Sequence, residues 1–118
     1  MKKILVVDDE ENIRELYRIE LTEEGYEVEL AEDGLAALRK LDTFHPDLVT
    51  LDVKMPGIDG LEVLRRIREK SASLPVLLLT AFGELRQDFN TWQADAYIVK
   101  SHDTAELIRT AHALLGDG

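Results

Sequence analysis

Short apolar runs alternate along the chain with longer stretches in which apolar residues recur at helical spacing. In the first such stretch, Ile13, Leu16, Tyr17 and Leu21 fall on one face of a helix, with glutamate and arginine opposite. The later stretches are marked by Leu38 and Leu41, by Leu61, Leu64 and Ile67, by Leu85, Phe89 and Trp92, and by Leu107, Ile108, Ala111, Leu114 and Leu115. The apolar runs are typical of strands and comprise Ile4–Val7, Val28–Leu30, Leu48–Leu51, Val76–Leu79 and Tyr97–Val99. The pattern therefore predicts five strand–helix repeats.

This alternation predicts an α/β fold in which a parallel sheet carries helices on both faces. The runs Ile4–Val7 and Val76–Leu79 are continuously apolar, as expected of strands that are buried on both faces. The run Val28–Leu30 is short and alternates with glutamate, which favours a place at the edge of the sheet. We therefore expect a doubly wound, five-stranded parallel sheet with the flavodoxin-like strand order 2-1-3-4-5.

Composition limits the class of protein. The chain has 118 residues, which suits one domain over residues 1–118, and it has no cysteine for disulfides or thiolate metal sites. Its net charge of −10 disfavours direct contact with nucleic acid or with an anionic membrane. The N-terminal apolar run is too short for a signal peptide or a membrane span. These features fit a cytoplasmic protein.

Polar side chains stand where four of the five predicted strands end. Asp8 and Asp9 follow the first strand, Asp52 the third, Thr80 the fourth and Lys100 the fifth. Ligands of open parallel sheets bind beyond the carboxyl ends of the strands, so these residues are the candidate site.

Three carboxylates in one crevice repel each other unless a cation lies among them. An all-oxygen set of ligands selects a hard ion such as Mg²⁺. A lysine and a hydroxyl group beside the metal then indicate further negative charge, and a phosphoryl group is the obvious candidate. One of the carboxylates is then a candidate nucleophile that forms an acyl phosphate.

Four segments carry a family resemblance that extends over essentially the whole chain. They are Val6–Glu10, Leu51–Gly60, Leu79–Ala81 and Ala96–Lys100. In order and spacing they resemble the signature segments of CheY-like receiver domains of two-component response regulators. The Lys54 position and the segment beginning at Thr80 also resemble stand-alone receivers of the phosphorelay type.

The resemblance implies a metal site and a phosphorylation site. Asp52 would be the residue that is phosphorylated. Asp9 and Asp52 would ligate Mg²⁺ directly, together with the backbone carbonyl of Lys54, and Asp8 would help mainly through water.

The resemblance also implies how the phosphoryl group is received and signalled. Thr80 and Lys100 would bind phosphoryl oxygens, and Tyr97 matches the aromatic residue that switches with Thr80. The donor would be a histidine of a partner histidine kinase or phosphotransfer protein, and the receiver itself would catalyse the transfer. It would lose the group slowly and would not be a turnover enzyme. The sequence leaves open the downstream protein target and phosphorylation-dependent homodimerisation.

The chain departs from the family pattern after its last strand. Lys100 is followed by Ser101, where the family usually has proline, and Gln93-Ala94 replaces the usual Gly-Ala. A cis bond before a non-proline residue costs about 2.5–4 kcal/mol. We therefore expect this bond to be trans or strained, with an altered approach of Lys100.

Two other functions remain open. A pseudo-receiver, which binds partners without phosphate, is favoured by Ser101. An Mg²⁺-dependent aspartyl phosphohydrolase needs a substrate pocket, and the predicted loops are short. The chain ends soon after its last predicted helix, which predicts a stand-alone receiver or a piece of a longer regulator.

The remaining polar residues have plainer interpretations. Asp9 is also a candidate cap for the helix that begins near Glu11, and Glu10 is interpreted as part of its solvated start. His45 and His102 are predicted to lie in loops, and His112 on the surface of the last helix.

Overall fold

The computed structural model describes residues 1–80, 94–101 and 103–116. Five strands and four helices lie in these residues. In chain order they are β1 (Lys3–Val7), α1 (Glu11–Glu23), β2 (Glu27–Ala31), α2 (Gly34–Phe44), β3 (Leu48–Asp52), α3 (Gly60–Lys70), β4 (Val76–Thr80), β5 (Ala96–Val99) and α4 (Ala105–Leu115). The predicted helix around Leu85, Phe89 and Trp92 lies outside the described residues.

The five strands form one parallel sheet in the order β2-β1-β3-β4-β5. This confirms the predicted α/β fold, its strand order and the edge position of the second strand. The order reverses direction at β1, which is hydrogen-bonded to β2 on one side and to β3 on the other. The crevice beyond the carboxyl ends of β1 and β3 is therefore the switch point at which such sheets bind ligands.

The sheet separates two apolar layers. Alternate residues of the strands pack against α2 and α3 on one face, where Val63, Leu64 and Ile67 are buried. The other residues pack against α1 and α4, where Tyr17 and Leu107 are buried. Because β1 and β4 are covered on both sides, their residues are almost all apolar and buried, as the continuous runs Ile4–Val7 and Val76–Leu79 predicted.

Capping residues define where three of the helices begin or end. Asp33 and Asp59 cap α2 and α3 by accepting hydrogen bonds from the backbone N–H groups of Ala36 and Glu62. Gly116 ends α4 in the left-handed conformation that glycine favours. Among the described residues, no helix has the length and apolar character that crossing a membrane requires.

Candidate functional site

Four of the predicted site residues meet at the carboxyl edge of the sheet. Asp8 directly follows β1, Asp52 is the last residue of β3 and Thr80 the last residue of β4. Lys100 follows β5, and its backbone N–H donates to the carbonyl of Thr80 over 2.7 Å. Asp8, Asp52 and Thr80 are at least 95% buried, so their side chains lie in a crevice that is largely shielded from water.

The Lys100 ammonium group connects three carboxylates. Its Nζ lies 3.1 Å from Asp8 Oδ1, 3.1 Å from Asp52 Oδ2 and 2.6 Å from Glu10 Oε1. The Lys100 side chain is 17% exposed, and Asp8 and Asp52 are still more buried. Charge pairs of this kind interact much more strongly than pairs in water. Lys100 therefore neutralises part of the negative charge that the strand ends bring together.

Burial and charge shift the titration of these groups. Burial and, to a smaller extent, the negative charge of Asp8 raise the pKa of Asp52 to about 6, although interactions with Lys100 and a hydrogen bond from the Lys54 N–H act to lower it. Burial likewise raises the pKa of Asp8. For Lys100, burial acts to lower the pKa, but hydrogen bonds to Glu10, Asp8 and Asp52 outweigh it and the pKa is raised. At neutral pH Asp52 is thus mostly ionised and Lys100 charged.

A compact group of carboxylates lies beside Asp52. Asp8, Asp9 and Glu10 each offer an oxygen, and these oxygens lie within 4.8 Å of one another. Asp8 Oδ1 accepts the N–H of Glu10 over 2.9 Å. Asp8 Oδ2 is buried and accepts no hydrogen bond from the described residues, although it lies 3.0 Å from Lys100 Nζ. An all-oxygen group of this kind, with one carboxylate fully buried, fits a hard divalent cation.

The profile of the response regulator receiver domain family matches residues 4–112. The chain belongs to this family. It is a receiver domain of the two-component response regulator type, a class of signal-transduction domains, as the sequence resemblance implied.

Named relatives support the assignment. The chain is 46% identical to the transcriptional regulatory protein ResD of Bacillus subtilis over 115 residues, which are 96% of this chain and 48% of ResD. It is 41% identical to the alkaline phosphatase synthesis transcriptional regulatory protein PhoP of Bacillus subtilis over 116 residues, 97% of this chain and 48% of PhoP. The receiver thus spans about half the length of the curated relatives it matches.

Solved structures share the fold. The response regulator protein TrrA of Thermotoga maritima, in complex with Mg²⁺–BeF, has a TM-score of 0.91 and 52% identity, covering 98% of this chain and 100% of TrrA. TrrA in complex with the histidine kinase ThkA has a TM-score of 0.88 and 52% identity, covering 98% of this chain and 99% of TrrA.

In the receiver, close packing beneath Asp52 fixes the loop after β3. The N–H of Gly60 donates to the carbonyl of Val53 over 2.7 Å. A Cβ on Gly60 would overlap the Asp52 carbonyl oxygen and lie 2.7 Å from Val53 Cα. The backbone N–H of Lys54 lies 3.3 Å from Asp52 Oδ1. Glycine at position 60 therefore lets the start of α3 approach the backbone of Asp52.

Glu10 belongs to the site, which the sequence interpretation missed. Its side chain is 61% exposed, yet its carboxylate makes the shortest contact of Lys100. The available signal was the unbroken acidic run Asp8-Asp9-Glu10. Glu10 is also the N-cap residue of α1 and makes no side-chain capping hydrogen bond, so the helix begins without the cap considered for Asp9.

The peptide bond between Lys100 and Ser101, where the chain departs from the family pattern, is trans. The described residues contain no cis peptide bond, so the Lys100–Ser101 bond is trans and Lys100 still reaches Asp8 and Asp52. Tyr97 is half-buried and packs against the apolar layer under α2 and α3. Its switch role stays a prediction. Gln93 and His102 lie outside the described residues.

His112 is not the plain surface residue that was predicted. It is partly buried on α4, with Nδ1 2.7 Å from Tyr26 Oη and Nε2 2.9 Å from Glu24 Oε1. The prediction failed because the partners lie 86 and 88 residues away along the chain. His45 ends α2 in a left-handed conformation, consistent with the predicted loop position.

Proposed function

We propose that this receiver accepts a phosphoryl group on Asp52 from a histidine of a partner protein, in a reaction that depends on Mg²⁺. The observation that carries the proposal is the position of Asp52, whose carboxylate lies 3.1 Å from Lys100 Nζ beside a group of three carboxylates. Lys100, together with a cation held by these carboxylates, would neutralise the charge of an incoming phosphoryl group and orient the nucleophile.

The residues present fit a magnesium ion. Asp9, Asp52 and the backbone carbonyl of Lys54 would hold the ion, with Asp8 acting mainly through water and Glu10 adding a carboxylate. The ion would supply positive charge for the phosphoryl oxygens. TrrA, which is 52% identical, forms a complex with Mg²⁺–BeF, and this supports magnesium as the ion that the receiver binds.

Asp52, Lys100 and Thr80 carry out the phosphoryl transfer. An Asp52 carboxylate oxygen attacks phosphorus and forms an O–P bond, while the N–P bond of the phosphohistidine breaks and its electron pair stays on the imidazole. Lys100 turns from the Asp52 carboxylate to a phosphoryl oxygen, and Thr80 donates its hydroxyl hydrogen to another. Positioning and charge neutralisation by these groups account for most of the catalysis.

The phosphoryl group acts as a signal. Movement of Thr80 toward the phosphoryl group and a new position of Tyr97 would change the surface near the last two predicted strand–helix units. Slow hydrolysis of the acyl phosphate returns the receiver to its starting state, so the domain is a phosphoacceptor and not a turnover enzyme.

The partner is a histidine kinase or a phosphotransfer protein of the cytoplasm. The complex of TrrA with the histidine kinase ThkA supports such a partner. The net charge of −10 argues against direct contact of these 118 residues with nucleic acid or membrane. The downstream target is a protein that reads the switched surface, and a phosphorylation-dependent homodimer is one form of that response.

Intact-protein mass spectrometry tests the proposal. The chain is incubated with acetyl phosphate, with and without Mg²⁺, alongside Asp52→Asn. We expect a gain of one phosphoryl group, about 80 Da for an acyl phosphate, that needs both Mg²⁺ and Asp52. Asp42→Asn, which alters an exposed carboxylate paired with Lys70, is the matched control and should still gain the group.

Two outcomes contradict the proposal. If the folded protein gains no mass under any condition, the phosphate-independent pseudo-receiver becomes the better account. Continuous release of phosphate from small phosphoesters, without accumulation on the protein, would instead indicate an aspartyl phosphohydrolase.

A further inference from the structure

Hydrogen bonds from two hydroxyl groups connect the loop after Lys100 to α1. Tyr17 Oη donates to the carbonyl of Ser101 over 3.3 Å, and Thr104 Oγ1 donates to Glu20 Oε1 over 2.6 Å. Tyr17 and Glu20 lie one helical turn apart on the same face of α1. The segment that directly follows Lys100 is thus held at two points of one helix.

Both hydroxyl groups lie in a nearly dry interface. Tyr17 is 1% exposed and Thr104 is 7% exposed. Burial raises the pKa of Tyr17, and the charge of Asp8 raises it further, so the hydroxyl keeps its proton and remains a donor. Thr104 precedes α4 but makes no capping hydrogen bond with its side chain. Its hydroxyl is therefore committed to Glu20.

The same helix also holds the other side of the site. Arg14, one turn before Tyr17, donates from Nη1 to the backbone carbonyl of Asp8 over 2.8 Å. Consequently α1 fixes the backbone of both Asp8 and Ser101. Asp8 and Lys100, the neighbour of Ser101, form the buried ion pair with distances of 3.0 and 3.1 Å.

The position of Lys100 depends on such support because its own backbone has few constraints. β5 is an edge strand, and Lys100 extends its pairing with β4 by one hydrogen bond to Thr80. Ser101 lacks the ring that fixes the backbone of proline. Within the loop, the N–H of Asp103 donates to Ser101 Oγ over 3.0 Å, and the hydrogen bonds to α1 add the contacts that restrict its position relative to the site.

We propose that Tyr17 and Thr104 are positioning residues that hold Lys100 against Asp8 and Asp52 for phosphoryl transfer. The inference rests on the proposed function. The two side chains do not touch the reacting atoms; Tyr17 acts through the backbone carbonyl of Ser101, and Thr104 anchors the start of α4 to Glu20. Removing their hydroxyl groups leaves the charges of the site intact but lets Lys100 move away from Asp52.

The ammonium signal of Lys100 tests the positioning directly. Protons of an ammonium group held in buried ion pairs exchange slowly with water, so ¹⁵N-lysine labelling should give Lys100 its own signal, which Lys100→Arg removes. We expect Tyr17→Phe/Thr104→Val to weaken this signal or move it toward those of exposed lysines. Tyr26→Phe removes another buried hydroxyl, which is hydrogen-bonded to His112, and should leave the signal unchanged.

The rate of phosphorylation by acetyl phosphate gives the functional readout. In the folded double variant we expect about tenfold slower phosphorylation at saturating Mg²⁺, because displaced catalytic groups lose most of their effect. The Mg²⁺ concentration for half-maximal rate should not rise, since the acidic group is unchanged. Tyr17→Phe and Thr104→Val are also measured singly, so that a folded variant is available, and Tyr26→Phe should phosphorylate normally.

The outcomes separate the two proposals. An unchanged Lys100 signal in the variants, or no distinct Lys100 signal in the unaltered protein, would overturn the positioning role. A rate loss accompanied by a raised half-maximal Mg²⁺ would point to general loosening and overturn it as well. Absence of phosphorylation in the unaltered protein would instead refute the proposed function, while the ammonium signal would still show whether α1 holds Lys100.

Discussion

At the scale of single residues, Asp52 combines two opposed requirements. A nucleophile needs an ionised carboxylate, but burial and the neighbouring charge of Asp8 raise the pKa of Asp52 to about 6. Lys100 and the N–H of Lys54 only partly offset this. The ionised form is therefore held in the folded protein at a cost in stability, as is common where a site is prepared for a charged ligand.

This cost predicts how stability depends on pH in the absence of metal. Because the folded pKa of Asp52 lies above its unfolded value, the folded state binds the proton more tightly, and Asp52 lowers stability as pH rises from about 4 to about 6. With EDTA present, Asp52→Asn should raise the free energy of unfolding at pH 7.5 by about 3 kcal/mol. The gain should shrink toward pH 4. Urea unfolding across this pH range measures it, and a gain that grows on acidification would contradict the account.

Glu10 gives a second prediction at this scale. Its carboxylate lies 2.6 Å from Lys100 and belongs to the acidic group. Glu10→Gln removes one negative charge and should raise the Mg²⁺ concentration for half-maximal phosphorylation about fivefold, corresponding to roughly 1 kcal/mol, the upper range for an exposed charge pair. Glu11→Gln alters the next, exposed carboxylate in α1 and serves as control. Equal Mg²⁺ dependence in both variants would exclude Glu10 from the metal site.

At the scale of elements, the start of α3 controls the backbone that carries Asp52. Gly60 has no room for a Cβ because the Asp52 carbonyl and Val53 Cα occupy that space. Backbone atoms cannot move aside as the end of a flexible side chain can. The close approach of α3 therefore determines where the loop after β3 lies.

Gly60→Ala should consequently harm both stability and phosphorylation. We expect a loss of about 1–3 kcal/mol in the free energy of unfolding from overpacking, together with at least tenfold slower phosphorylation from displacement of Asp52. Gly34→Ala is a matched control, because its Cβ would meet only side-chain atoms of Ile58 and Val63. It should destabilise the fold yet phosphorylate normally once folded. Equal slowing in both variants would refute a local effect on Asp52.

At the scale of the whole molecule, the periodicity of the chain was enough to predict the sheet. Continuous apolar runs indicated strands covered on both faces, and the short run around Val28 indicated the edge, as observed. Because four polar residues directly follow or end the predicted strands, the sequence also predicted that they share the carboxyl edge of the sheet. These residues are Asp8, Asp52, Thr80 and Lys100. The sequence did not predict Glu10 beside Lys100, Gly60 beneath Asp52 or the partners of His112. Those contacts depend on how loops and helices pack, for which a single sequence has no periodic signal.

The charge of the whole molecule carries a prediction of its own. With a net charge of −10, the 118-residue chain should not bind duplex DNA measurably, before or after treatment with acetyl phosphate and Mg²⁺. Its affinity should be weaker than the ~10⁻⁴ M limit of ordinary non-specific binding. Fluorescence anisotropy of a labelled duplex at low salt measures this. Binding that weakens steeply with added salt would contradict the prediction.

Chemical identification of the phosphorylated residue tests the central claim most directly. After reaction with acetyl phosphate and Mg²⁺, borohydride reduces an aspartyl phosphate to homoserine, which tandem mass spectrometry can assign to one position. The account predicts homoserine at position 52 and at no other aspartate. Homoserine at Asp8 or Asp9 with Asp52 unchanged, or unreduced aspartate throughout a protein that is folded and Mg²⁺-loaded, would show that Asp52 is not the phosphoacceptor.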